Sequence, residues 1–203
     1  MQRFGLSAIA LVFLFTAVEA QAGDVKWSLA KGHSYIGFSV RHLGITNVRG
    51  EFKEYDSEIY ADPRTGKVSS LEATVKADSI DTGIAGRDGH LKSDDFFNTA
   101  EYPSIKVKTK SIKWKGNEVT AKADLTIRDI TKEVTFTGNL IGTQKVNFGD
   151  GDQLRAGYEL SAVINRQEFG LKFNRMAEGA AVVADNVKIV IEVEASHRLT
   201  GES

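Results

Sequence analysis

Cysteine is absent from the 203 residues, so no disulfide holds this chain and no thiolate can act as nucleophile or metal ligand. A lipoprotein anchor, which needs a cysteine, is excluded with it. Only two prolines interrupt the chain, which leaves room for long unbroken elements. The four histidines stand at 33, 42, 90 and 197, and no two share the spacing that brings ligands together on a helix or a strand. No metal site is expected. Excess charge of either sign is missing too, with 26 basic against 27 acidic residues. A basic footprint for nucleic acid is therefore lacking. Nor is there a G-x-S-x-G elbow or a Gly-rich phosphate loop.

The one long apolar run, Leu6 to Val18, is too short for the roughly 20 residues a membrane-crossing helix needs. Arg3 precedes it, and Ala20-Gln21-Ala22 follows with the small-x-small pattern that signal peptidases cut. Residues 1–22 are thus expected to be a cleaved signal peptide, with Ala20 as a second cleavage point. The mature chain has no further span and is expected in the periplasm. Residues 23–203 fit one domain. Without disulfides, that domain needs a large apolar core or a closed sheet.

Period-two alternation dominates the mature chain. Ile36, Phe38 and Val40 alternate with Tyr35, Gly37, Ser39 and Arg41. The same pattern recurs at Leu71 to Ala77, Ile105 to Val107, Leu125 to Ile127, Val134 to Leu140, Leu160 to Ile164 and Val187 to Val193. One apolar face and one wet face per strand is the pattern of an antiparallel sheet. Turn signals separate the strands at Asp62–Gly66, at Lys115–Asn117 and in the polar loop Asn147–Asp152. Apolar parity is odd at Ile105 and Val107 but even at Ile112 and Trp114, which predicts a bulge or break between Thr109 and Ile112. The pattern fits a sandwich or a barrel; closure without disulfides favours the barrel.

The exception is Gly86 to Phe97, GRDGHLKSDDFF. Read as a helix, it pairs Asp88 with Lys92 and His90 with Asp94, and turns Ile84, Arg87 and Leu91 toward the sheet. Arg166 continues the inward row of Leu160, Ala162 and Ile164, and His42 that of Ile36, Phe38 and Val40. An inward charge must be paired or must sit in a water-accessible mouth. Asp88 is one candidate partner for Arg166, and a ligand head group is another.

Several pieces in order then resemble a known family: His33-Ser34, the strand Ile36 to His42 followed by Gly50-Glu51-Phe52, Asp81-Thr82, Arg87-Asp88-Gly89-His90-Leu91, Phe96 and Tyr102-Pro103. Leu125-Thr126-Ile127, Thr131-Lys132, Arg166, Phe169-Gly170 and Asp185-Asn186-Val187 continue the match. The sequence resembles the YceI-like family, exported bacterial proteins of lipocalin-like fold that bind polyisoprenoids. One departure is Ala30, where the family usually carries an acid three positions before the His-Ser pair; Asp24 or Glu51 could replace it. The loop 147–152 also looks particular to this chain.

The resemblance implies an all-β, extended eight-stranded antiparallel barrel with one short helix between strands. It also implies a bound long-chain isoprenoid or fatty lipid in place of any cofactor. Residues expected to meet that lipid are Ile36, Phe38, Val40, His42, Phe52, Val75, Phe96, Phe97, Ile105, Val107, Phe136, Ile164, Arg166, Phe169 and Ile189. His33, Arg87, Asp88 and His90 are expected as a polar clamp, not a catalytic set. The chain would act as a monomer or homodimer. Two other readings remain open at this stage: a lipid-modifying enzyme using His90 or His42 with an Asp partner, and an interaction protein whose bore is filled by its own side chains.

Overall fold

The computed structural model describes residues 23–177 and 179–199, so the expected signal peptide lies outside the described residues. The strands are β1 (Val25–Leu29), β2 (Tyr35–His42), β3 (Thr46–Phe52), β4 (Tyr55–Ala61), β5 (Val68–Lys76) and β6 (Ile80–Asp81). Helix α1 (Ala85–Lys92) follows, then β7 (Ser104–Lys115), β8 (Glu118–Ile127), β9 (Ile130–Asn147) and β10 (Asp152–Asn165). The short pair β11 (Met176–Ala177) and β12 (Ala180–Ala181) leads into β13 (Val183–Arg198). Neighbours run β1-β4-β5-β7-β8-β9-β10-β13, and β13 returns to β1. Eight antiparallel strands thus close a barrel.

The ring is closed in two halves, because β13 is longer than either of its partners on that side. Its C-terminal end meets β1 at Ser28↔Ser196 and Leu29↔Ala195, while its N-terminal half pairs with β2 from Glu192↔Tyr35 to Val183↔His42. A single 3-10 turn at Lys31–His33 separates β1 from β2. Beyond that break β2 pairs with β3, and β3 gives only Glu51 and Phe52 to β6. The β3 edge is therefore left unclosed at this end, and α1 with the segment after it fills the gap.

The two ends differ in their cores. At the β1 end, Trp27 (1% exposed) packs among Ile59, Ala61, Leu140, Ala156, Tyr158 and Ala195. Three alanines around one tryptophan let the walls approach, so this end is solid. Tyr158 donates its hydroxyl to the Gly66 carbonyl in the Asp62–Gly66 turn, where Gly66 takes a φ of +71°. Burial pushes the Tyr158 phenol up from its ordinary value. Toward the other end the second core, built on Phe52, Val75, Ile105, Leu125, Phe136 and Ile164, lines a hollow.

The expected bulge is present: β7–β8 register shifts between Thr109 and Ser111. It turns Thr109 inward, where its hydroxyl accepts from the Leu71 N–H (2.9 Å) and donates to the Leu71 carbonyl (3.1 Å). That side chain replaces the ladder bonds lost where β5–β7 pairing ends. The shift also aims Trp114 at the solid core, with its indole donating to the Val68 carbonyl at 2.9 Å.

Candidate functional site

The hollow is a cavity of about 770 Å³ lined by β2, β3, β5, β7, β8, β9, β10, β13 and α1. Ile36, Phe38 and Val40 come from β2, Phe52 from β3, Val75 from β5, Ile105 and Val107 from β7, Phe136 from β9, Ile164 from β10 and Ile189 from β13. The period-two rows therefore face inward as read from the sequence. Phe96 and Phe97, in the turn after α1, also reach the cavity, and Phe97 stands edge-on to Phe52 at 5.8 Å. Gly50 makes room for this wall. A Cβ there would lie 2.5 Å from Cζ of Phe38, so only glycine lets that ring lie across β3.

Arg166 is inward and 3% exposed, but Asp88 is not its partner. Its guanidinium donates to the carbonyls of Leu171, Ala184 and Val183 and to Asp185 Oδ1. Burial pushes its pKa down and Asp185 opposes that shift. The arginine thus bolts the 3-10 turn Arg166–Phe169 and the following chain to the start of β13. Phe169, expected on the cavity, is 2% exposed in the core and does not line it. The 3-10 turn ends the alternation at Asn165, which sends Phe169 away from the bore.

The expected clamp is divided. Helix α1 stops at Lys92 instead of Phe97, with Ser93 donating through both N–H and hydroxyl to the His90 carbonyl. Asp94 therefore never comes one helical turn above His90; Asp95, in the turn beyond the helix, pairs with it instead, at 2.7 Å from Nε2. Asp88 takes the Thr82 N–H at 2.9 Å and the Thr82 hydroxyl, instead of pairing with Lys92. Arg87 donates from Nε to the Thr82 hydroxyl and from Nη2 to the Thr82 carbonyl. Thr82 is thus the residue that fastens α1 across the gap. Arg87 and His90 line the cavity and Asp88 lies behind them. Ile84, expected against the sheet, precedes the helix and is 55% exposed.

His33 belongs to none of this. It sits at the break between β1 and β2, at the opposite end of β2 from His42, with Nδ1 3.5 Å from Glu194. Glu194 pairs in turn with Arg155, and its carbonyl accepts from the Ala30 N–H at 2.8 Å; Glu51 binds Lys53. His42 lies half-buried at the mouth of the cavity. Sequence reasoning missed Val48, Leu125, Leu171, Phe173 and Arg175 on the lining. The first two sit on strands with the right parity and were legible. The other three alternate with Lys172 and Asn174, but with only two apolar residues the row was too short to read as a strand. Phe173 closes an aromatic cluster with His90 and Phe96, at ring separations of 5.0 and 5.1 Å.

A barrel solid at one end and hollow at the other, with hydrophobic walls, defines a protein built around an apolar chamber. The chain matches the YceI-like domain over residues 27–195 and belongs to that family. It is 33% identical to Protein YceI of Escherichia coli O157:H7 over 181 residues, which cover 89% of this chain and 91% of that protein. The crystal structure of the Campylobacter jejuni YCEI protein is 29% identical, with a TM-score of 0.67 over 78% of this chain and 90% of that one. A polyisoprenoid binding domain from Saccharophagus degradans shares the fold alone, at 14% identity and a TM-score of 0.56, covering 83% of this chain and 97% of that one.

Proposed function

We propose that the chamber takes up a long-chain isoprenoid, of the polyprenyl or quinone type, or a similar amphiphilic lipid, and that the protein carries or buffers it in the periplasm after export. The observation that carries this reading is the apolar cavity of about 770 Å³, whose walls come from every barrel strand except β1 and β4. The polyisoprenoid binding domain of the same fold supports it. With a methylene taken as roughly the 30 Å³ that a water molecule has in the liquid, the cavity admits on the order of 25 chain carbons. Burial contributes up to about 0.8 kcal/mol per methylene, enough for tight binding without covalent chemistry. A carrier fits better than an enzyme. Asp95 does pair with His90, but Thr46 supplies the one hydroxyl on the lining among the described residues, and no hydrogen bond joins it to His42 or His90. An open hollow also speaks against a bore filled by its own side chains.

Displacement of the fluorescent probe N-phenyl-1-naphthylamine by geraniol, farnesol, geranylgeraniol and solanesol tests the reading. Affinity should climb with chain length and level off once the chamber is full. Equal affinity for geraniol and geranylgeraniol would contradict it.

A further inference from the structure

The mouth of the chamber is edged by two hairpin tips that are tied together. The Leu43 N–H donates to the Val182 carbonyl at 3.1 Å, and the Val182 N–H to the Arg175 carbonyl at 2.9 Å. The first tip, Leu43-Gly44-Ile45, joins β2 to β3 and has Leu43 in the left-handed region at φ +49°. That conformation is strained for a leucine, and here it holds Ile45 outward, 80% exposed. The second tip, between β11 and β12, presents Met176 at 55% exposure. Two large apolar side chains therefore project at the rim of an apolar chamber.

Beside them stand Arg41 and Arg175. Among the described residues neither guanidinium has a hydrogen-bond or ion-pair partner, whereas those of Arg155, Arg166 and Arg198 each face a carboxylate. Asp95, on the α1 side of the mouth, is held by His90. In the sequence the acid Glu178 follows Ala177 and lies outside the described residues. Apolar tips backed by unpaired guanidinium groups match the depth profile of a bilayer surface: hydrocarbon below, phosphate above. We infer that this lip docks mouth-down on a membrane containing anionic phospholipid, so that a lipid chain passes between bilayer and chamber without crossing water. The inference rests on the proposed lipid binding for its purpose, but not for its test.

The test is co-sedimentation of the purified protein with phosphatidylcholine vesicles, with and without phosphatidylglycerol, for the unchanged chain, for Ile45→Asp with Met176→Ser, and for Arg41→Glu with Arg175→Glu. Probe uptake by N-phenyl-1-naphthylamine is read in parallel and reports the chamber alone. The unchanged protein should partition onto phosphatidylglycerol vesicles, less so at high salt. Each pair of substitutions should lower that partitioning by about tenfold or more, with probe uptake kept by Ile45→Asp with Met176→Ser, whose side chains lie off the chamber lining. Vesicle binding by a protein that takes up no probe would support the lip while overturning the lipid-carrier reading. Three results would overturn the lip: no vesicle binding by protein that takes up probe normally, equal binding by all three proteins, or tip substitutions that convert a dimer to a monomer, which would assign the lip to a second copy of the chain.

Discussion

Replacing Phe38 with aspartate places a carboxylate on the cavity wall, and the structure allows the consequence to be worked out. Phe38 lies inward on β2, opposite Ile189 on β13 and Gly50 on β3, with its ring 6.2 Å from that of Phe52. In the empty chamber the new carboxylate can be hydrated through the mouth. With a hydrocarbon chain present it must lose that water or take up a proton. Aspartate ordinarily titrates near 3.9, so protonating it at pH 7 costs about 4 kcal/mol, roughly a thousandfold in affinity. The lost ring contact adds about 1 kcal/mol more. The sign of the pH dependence follows. Lipid binding raises the pKa of the new carboxyl, so affinity falls about tenfold per pH unit above about 4 and recovers as pH drops toward it.

Lys106→Asp is the matched control. Lys106 is exposed on the outer face of β7 between Thr74 and Thr126, and its replacement should change affinity and stability by no more than about 0.5 kcal/mol. The assay is probe displacement by farnesol from pH 4 to pH 8, with urea unfolding beside it. Equal losses in the two variants would mean the strand faces are inverted. A loss in Phe38→Asp that ignores pH would mean the carboxylate never meets the ligand.

Thr109→Val keeps the shape at the bulge but strips both partners from Leu71, and should cost about 2 kcal/mol in urea unfolding; a cost below 0.5 (about the error of the method) would deny that Thr109 replaces the missing ladder bonds. Arg166→Met should cost about 3 kcal/mol or more, because three carbonyls lose their donor in a buried place; a variant as stable as the parent would refute its role as a bolt. Tyr158→Phe should cost about 1 kcal/mol below pH 10. The buried phenol stays neutral in the fold, so the stability it contributes is present in full below about pH 10 and lost as pH rises beyond that. The substituted protein should show a shallower alkaline decline, and an unchanged slope would assign the decline to Tyr35 or Tyr55, whose phenols burial also pushes up.

The strands were readable because each has one wet face and one apolar face, so parity alone gives the inward set, from Ile36 to Ile189. Even the bulge at Thr109 was visible as a parity change. What parity does not carry is where a chain goes once alternation stops. Arg166 was read correctly as inward, yet its partners are carbonyls from the irregular chain after it and from the segment entering β13, and Asp88 is spent on Thr82. Phe173 and Arg175 were missed because the alternating row Leu171, Phe173, Arg175 has only two apolar members and forms no strand. His33 was grouped with the clamp on the family resemblance, but the 3-10 turn at Lys31–His33 puts it at the closed end. The family resemblance named the fold as a whole and could not place these details, which depend on where the helix stops and how the last loop crosses the mouth.

The central claim is that the chamber holds a lipid chain. Native mass spectrometry of the protein purified from a producing bacterium, followed by solvent extraction, tests it most directly. The account predicts an apolar molecule of long-chain isoprenoid or related type, bound in one copy per chain and lost on extraction. Protein that carries no such molecule, and that takes up no added prenyl lipid, would contradict it.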